Sequence, residues 1–595
     1  MIEEMRRATV VCLAADRAAT VDALAGLGLL HVIEVSPPQS EELDRLTARR
    51  GLVVHMRGIL AGRKVPSAPA ANEAAPADAD TLIDEAAAAH AAVQDATEEL
   101  AAWRRARLQL EPWGSFSRAL LERLRASGLQ IRLCSHSGRR LPAPPEGAVL
   151  HPVGRVGKRR FFALVAPADV HVPDAFADVH LPEETQLAAI DAHIADREAA
   201  IARAQARLDA LAPSHNRLKS SLADLDADIG TTRARDGMTA TGSLLYLEGY
   251  VPARRLPELQ AAARRHGWAV LSQDVAADDP RVPVLLRVPR LFRPAKAIFS
   301  LVGILPAYSE WDVSAIMLVY LSVFFGIIIG DAGYGALLLG AGLWLRRRTR
   351  QPEHALAVRL LILLSLVTIA WGVLTGTVFA LPSDVLPGWL AGWSFFTDES
   401  VKNQHLQWIC FMLAVTHLSA AHAWQALLNR RRPAALAHIG WGMLIWANYF
   451  AAVSLMVGRG PFPRYGYVLY GLGLVLVFGF GVNWRNMADV FNLPFSIIGS
   501  FVDLLSYIRL FAVGLAGYYI ADCFNDMGRM VFDVSPWLLP AAIIVIVFGH
   551  GLNIALGFMS VLVHGVRLNT LEFSNHMGLT WSGQPFNPLR NRKER

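Results

Sequence analysis

Arg509 lies inside an apolar run, residues 504–520, in the local sequence Ser506-Tyr507-Ile508-Arg509-Leu510-Phe511-Ala512-Val513-Gly514. A guanidinium keeps its proton, and at bilayer depth it costs about 3 kcal/mol on insertion scales. Such a residue is expected on an ion path or opposite a counter-charge. The plainer alternative is an arginine that snorkels to the interface or pairs within its own bundle. Within the wider span 494–522 it stands roughly three turns or more from either end, which disfavours snorkelling. In the following apolar span His550, Asn553, Gly557, Ser560, His564 and Arg567 recur at steps of three and four, so a helix gathers them on one face. That face either lines water and meets Arg509, or is a packing seam of small and hydrogen-bonding residues. Asp503 precedes Arg509 by six residues, about 120° around a helix, and so need not pair with it. It suits a hydrated mouth on the cytoplasmic side. Glu572, five residues past Arg567, is a second carboxylate placed to pass protons. His417 and His422 read as packing residues rather than relay groups.

The elements that must position these groups are long apolar segments. Six are of crossing length: 356–381, 405–428, 439–457, 465–484, 494–522 and 537–571. Ahead of them, 313–345 as a single helix would be about 50 Å long, too long for one ordinary crossing. Gly326, Gly330, Asp331, Gly333 and Gly335 interrupt its midpoint, which predicts two short spans. Charge parity favours the resulting eight spans. With a cytoplasmic amino terminus, the arginine clusters at 346–348, 430–432 and 590–595 then all fall inside, and the acidic-leaning loops 383–399 and 522–533 fall outside. Seven spans would put every cluster outside.

The chain divides into unlike parts. Its 53% hydrophobic content averages an Ala-, Arg- and acid-rich stretch, residues 1–295, with an apolar remainder, 296–595. The first thirty residues carry Glu3, Glu4, Arg6, Arg7, Asp16, Arg17 and Asp22, so no signal-peptide apolar core is present and the first part is expected in the cytoplasm. Residues 8–13, 18–27 and 30–35 read as strand, helix, strand, and 242–251, 255–266 and 268–271 repeat the pattern, predicting two small α+β lobes. Between them 41–62, 78–108 and 183–229 suit long antiparallel helices of coiled-coil type, with 66–77 a loop. Strands at 131–134, 149–153 and 160–165 form a further lobe at the far end of this stalk. The helices read as a strut, or as a compact bundle packed on itself.

Several function classes are excluded. Gly154-Arg155-Val156-Gly157-Lys158 lacks the spacing and the hydroxyl of a phosphate loop. No hydrolase triad or zinc-protease pattern is present, and Cys12, Cys134, Cys410 and Cys523 have no ligand spacing. No nucleotide site, metal or cofactor is expected. The net charge of +6 gathers partly beside apolar segments, where it reports orientation and not a nucleic-acid partner.

The sequence resembles the a-type subunit, or subunit I, of V-type and A-type rotary ATPases in its prokaryotic form. The resemblance covers nearly the whole chain. It is most specific at 503–516, Asp-Leu-Leu-Ser-Tyr-Ile-Arg-Leu-Phe-Ala-Val-Gly-Leu-Ala. It extends to Phe324-Phe325-Gly326 with Gly330-Asp331-Ala332-Gly333-Tyr334-Gly335, Trp371-Gly372-Val373-Leu374-Thr375-Gly376, His564-Gly565-Val566-Arg567-Leu568 with Glu572-Phe573, Pro585-Phe586-Asn587-Pro588-Leu589, and Leu247-Glu248-Gly249-Tyr250-Val251-Pro252.

The resemblance implies a helical polytopic membrane protein with a cytoplasmic α+β and coiled-coil arm, in a prokaryotic plasma membrane, both termini cytoplasmic. It implies a non-catalytic stator subunit offering two offset half-channels, for protons or sodium ions, to a ring of proteolipid (c-type) subunits. Further partners would be peripheral-stalk subunits, the central-stalk or ring-cap subunit, membrane lipid and, indirectly, the soluble ATPase head. Carried over by motif, Arg509 would draw the proton off each passing ring carboxylate and block a leak, with Arg567 as second cation. Ser506, Asp503, Glu572, His564, Asn553 and His550 are the further ion-translocation candidates. A fixed cation lowers an approaching carboxylate's pKa, and the proton leaves by whichever aqueous path is open. The chain departs from some eukaryotic members in having Gly517 in place of a histidine and Gly557 in place of a glutamate, and His576 stands where a lysine is common. Other readings are a secondary transporter of an anionic solute and a structural membrane anchor. Such transporters carry paired broken helices in internal repeats, and only one broken segment, near Asp331, is evident.

Overall fold

The computed structural model describes residues 1–33, 35–63, 78–136, 143–173, 176, 178–179, 181–276, 279–349, 352–382, 385–390, 392–398, 400–482 and 484–590. The loop expected at 66–77, parts of the loop 383–399 and the end of the arginine cluster at 590–595 lie outside these residues. The fold is mostly helical.

The first strand, β1 (Met5–Leu13), alternates buried and half-buried side chains and leads into α1 (Arg17–Leu27) and β2 (His31–Ile33). Helices α2 (Glu41–Ala61) and α3 (Ala79–Leu110) follow, each started by a side chain that accepts a backbone N–H, Ser40 and Asp78. After α4 (Arg118–Ala126), strands β3 (Leu129–His136), β4 (Val149–Val156) and β5 (Arg159–Pro167) form an antiparallel sheet of order β3-β5-β4. It closes over Phe162, Leu164 and Phe176. Helices α5 (Leu187–Leu211) and α6 (Leu218–Asp236) return along α3 and α2. The single long helix expected at 183–229 is thus broken, because Pro213 lacks the N–H that would continue it and the chain passes through a 3₁₀ turn, Ala212–Arg217. The four helices bury Val53, Leu60, Ile83, Leu208 and Leu218 together.

Strands β6 (Thr239–Thr241) and β7 (Leu244–Pro252), helix α7 (Leu256–His266) and β8 (Ala269–Asp274) complete the other sheet. Its order is β2-β7-β1-β8, with β6 against β7. The two strand–helix–strand units read from sequence as two lobes therefore interleave in one sheet. Each unit has too few strands to bury a face by itself.

Two compact units are distinguished, one built chiefly from Val10–Glu248, the other from Met1–Thr9, Gly249–Ala263 and Val270–Asn587. The second contains a short parallel pair, β9 (Pro283–Val284) with β10 (Gln584–Pro585), and the helix α8 (Ala295–Val302). Its apolar helices begin with α9 (Ser314–Ile329) and α10 (Ala332–Arg348). The break between these two falls where glycines and a carboxylate were read: Gly330 adopts φ +67°, and the Asp331 side chain caps α10 by accepting from Tyr334 N–H. Then come α11 (Pro352–Thr375), α12 (Ser394–Thr397), α13 (Lys402–Leu428), α14 (Ala434–Ala452), α15 (Arg464–Phe480), α16 (Met487–Leu505), α17 (Ile508–Val534), α18 (Leu539–Ser560) and α19 (Ser574–Met577).

Among the described residues five helices are long and apolar enough to cross a membrane: His354–Thr375, Lys402–Leu428, Ala434–Val457, Val490–Val534 and Pro536–Met577. Ser314–Ile329 and Arg464–Phe480 are apolar but shorter. The helical stretch holding Arg509 is longer at both ends than the apolar run that marked it, because hydropathy fades before helix hydrogen bonding does.

Candidate functional site

Arg509 sits just past an interruption. Helix α16 ends at Leu505, Ser506 and Tyr507 form a turn, and α17 restarts at Ile508. The turn leaves the Ser506 carbonyl able to accept from Arg509 Nε at 3.0 Å, as well as from its backbone N–H. Ser506 thus contributes its carbonyl, while its hydroxyl donates back to Val502. Tyr507, fully buried, hydrogen-bonds His417 Nδ1 at 2.8 Å, and the His417 ring stacks on Tyr320 and Phe573. His417 is the packing residue its sequence context indicated.

The counter-charge is Glu572. Its side chain is 4% exposed, and its Oε1 lies 3.0 Å from Arg509 Nη2 and 3.4 Å from Arg567 Nε. Arg509 is itself 26% exposed. An ideal α-helix sets residues five apart about 140° from each other, which would keep Arg567 and Glu572 off one face. Here α18 continues through two π-helical turns, Val561–Gly565 and Leu568–Phe573, and the wider turn aligns i with i+5. The expected polar stripe is consequently split. Arg567 and Glu572 turn to Arg509. His564, in the first π turn, leaves a buried Nδ1 without a hydrogen bond, and Gly557 lets Ile329 approach so closely that an added Cβ would lie 2.6 Å from it.

On the carboxyl-terminal side of Arg509 along α17, His550 and Asn553 of the stripe join a largely buried polar cluster. His550 Nδ1 and Tyr334 Oη are 2.6 Å apart, His550 Nε2 pairs with Asn525 Oδ1 at 3.1 Å, and Asn553 donates to Tyr334 Oη and to the Gly517 carbonyl. Asn525 donates to the Phe379 carbonyl, and Asp331 accepts from Ala380 N–H. These bonds hold Phe379 and Ala380, both at φ +50°, a conformation that costs about 1–3 kcal/mol for residues other than glycine. Beside the cluster a cavity of about 390 Å³ opens along α17, lined by Gly330, Thr377, Lys402, Gly514, Tyr518 and Asp522 among others.

On the amino-terminal side a different set gathers. Asp503 Oδ2 is 3.3 Å from His576 Nε2, His576 Nδ1 is 2.9 Å from His422 Nε2, and His422 Nδ1 is 3.4 Å from His438 Nδ1. His422 is therefore a linked residue as well as a packed one. Asp503 does not pair with Arg509, as its helical angle indicated, and finds its partner on α19. Tyr334, Asn525, His438 and His576 were not singled out as site residues. Asp331 was read only as a helix breaker. Their partners lie far away in sequence, so spacing carries no signal for them. No group of three His, Cys, Asp or Glu side chains among the described residues converges as a metal ion requires.

No protein-family model matches the sequence. The chain is 30% identical to V-type ATP synthase subunit I 1 of Treponema pallidum over 632 aligned residues, covering all of both chains. It is 35% identical to V-type ATP synthase subunit I of Borreliella burgdorferi over 382 residues, 60% of this chain and 62% of the relative. With A-type ATP synthase subunit I of Methanocaldococcus jannaschii it shares 24% over 391 residues, 60% of this chain and 56% of the relative.

Proposed function

We infer the function from one premise: the chain belongs to the V-type/A-type ATP synthase subunit I family. It is accordingly a membrane protein and a member of a multisubunit ATPase. Within that complex the proposed role is the static subunit that offers two half-channels to a rotating proteolipid ring. Residues 1–295 would form a cytoplasmic arm linking to the peripheral stalks and the central-stalk cap, and 296–595 the ion-translocating domain with eight spans. Both termini would face the cytoplasm of a prokaryotic cell.

The observation that carries this reading is the arrangement around Arg509. A guanidinium about a quarter exposed is held by a buried carboxylate, with one polar track leading away on each side along α16–α17. A cation tied down in this way offers its free edge to a passing carboxylate, and it interrupts any continuous path between the tracks. The Glu572 charge keeps the guanidinium from a full desolvation penalty without neutralising its field at the exposed edge. A leak past it would waste about 2.3 kcal/mol per proton at 100 mV.

In complexes carrying Arg509→Ala, assembly is expected to be intact by subunit co-purification and ATP-driven ion uptake into sealed vesicles abolished. Normal uptake in the assembled variant would reduce Arg509 to a packing charge. Loss of solute uptake with no effect on the ATPase would instead mark a carrier.

A further inference from the structure

The four side chains on the amino-terminal side of Arg509 come from four elements, Asp503 on α16, His576 on α19, His422 on α13 and His438 on α14. They are strung end to end with gaps of 3.3, 2.9 and 3.4 Å. The two central rings are buried, His576 to 7% and His422 to 5% exposure, while Asp503 and His438 at the ends are only partly covered. Trp441 stacks on His422 from α14 and His576 meets the same ring edge-on, so aromatic rings flank it on both contacts. This is the geometry of a wire, partly exposed at both ends and buried in the middle.

Resting on the function proposed above, we infer that the ion this subunit carries is the proton, and that Asp503, His576, His422 and His438 form its path on the cytoplasmic side of Arg509. Imidazole receives a proton on one nitrogen and releases one from the other. Sodium, a hard cation, needs several converging oxygen ligands. The chain supplies two carboxylate oxygens at one end and only nitrogens beyond.

Each hop balances. With His576 and His422 protonated on Nδ1 and His438 on Nε2, a proton leaving the Asp503 carboxyl bonds to His576 Nε2 and leaves a carboxylate behind. His576 gives its Nδ1 proton to His422 Nε2, His422 gives its Nδ1 proton to His438 Nδ1, and His438 releases its Nε2 proton to water. One N–H forms for each that breaks, and the rings reset by turning over. In that tautomer His576 Nε2 is the nitrogen that accepts, and it lies 3.3 Å from Asp503 Oδ2 with no other hydrogen-bond partner. His417 bonds Tyr507 and lies off this chain.

The test uses the assembled complex in sealed vesicles, with ATP-driven acidification and ²²Na⁺ uptake measured side by side. Acidification is expected at full rate in sodium-free buffer and to collapse with a protonophore, with no ATP-driven ²²Na⁺ uptake. His422→Phe and His438→Phe should each lower acidification about a hundredfold, the low end for losing a positioned proton-transfer group. ATP-driven ²²Na⁺ uptake, a sodium requirement for ATP hydrolysis, or wild-type acidification by both assembled variants would overturn the inference. The sodium measurement uses the unaltered complex, so a variant that fails to assemble does not leave the question open. Arg509→Ala separates the two levels: if it pumps normally the underlying function fails, whereas if it is inactive while the histidine variants pump, only the relay fails.

Discussion

Glu572 is the carboxylate on which Arg509 and Arg567 converge, so the three residues form one electrostatic unit. Removing Arg509 alone leaves a buried carboxylate with half its compensation. Removing Glu572 as well relieves that burden. A double-mutant cycle of Arg509→Ala and Glu572→Ala, read by thermal unfolding of the purified complex, should give a favourable coupling of about 0.5–3 kcal/mol, the range for contacting charged partners. Coupling indistinguishable from zero would mean that Arg567 alone holds Glu572. The charges themselves were legible in the sequence, because an ionisable group in an apolar run stands out by composition. Their pairing was not. Sequence gave Arg567 and Glu572 as five apart, and only a π turn, set by packing and without a local residue code, makes that spacing a contact. His576 and His438 were invisible for a related reason: His422 finds them 154 and 16 residues away, on separate helices.

At the level of elements, small residues decide how closely the helices that frame the site can pack. A Cβ built on Gly372 of α11 would lie 2.1 Å from the backbone nitrogen of Ala332, the first residue of α10. Backbone on both sides leaves nothing to rotate away, unlike a clash with the end of a flexible side chain. Gly335 meets Ile369 in the same interface. This contact seats Asp331 and Tyr334, and through them His550 and Asn553. Gly372→Ala is therefore expected to destabilise the membrane domain by about 1–3 kcal/mol or more, seen as a lower melting temperature in detergent. Gly388→Ala, where nothing lies within 4 Å, should leave it unchanged. Equal melting of the two variants would refute the close approach. The sequence pointed to the break in 313–345 but credited all its glycines with weakening the helix. Only Gly330 does so, through its positive φ, while Gly326, Gly333 and Gly335 serve as contact surfaces within helices. Glycine carries both meanings, and only the neighbouring helix separates them.

For the whole molecule, the proposed orientation rests on the number of crossings, and whether the chain crosses once or twice at the Gly330–Asp331 break sets its parity. With the proposed cytoplasmic amino terminus and six further crossings, Arg347 lies inside, Trp389 outside, Arg431 inside and Val534 outside if α9 and α10 each cross; if together they cross once, all four reverse. All four positions are exposed in the structure, so each can carry a reporter. Of the native cysteines only Cys523 is exposed, and Cys523→Ser would clear the background. In the resulting chain, single cysteines at 389 and 534 should react with a membrane-impermeant maleimide added to intact cells, and those at 347 and 431 only after the membrane is opened. The reverse pattern would make α9 and α10 a single crossing. It would also place the histidine chain on the outer side of Arg509 and the Asp331–Tyr334–His550 cluster on the inner side. The labelling result thus bears on more than topology: the histidines at 422, 438 and 576 can exchange protons with the cytoplasm only if the turn joining α13 to α14, where Arg430, Arg431 and Arg432 stand, faces it.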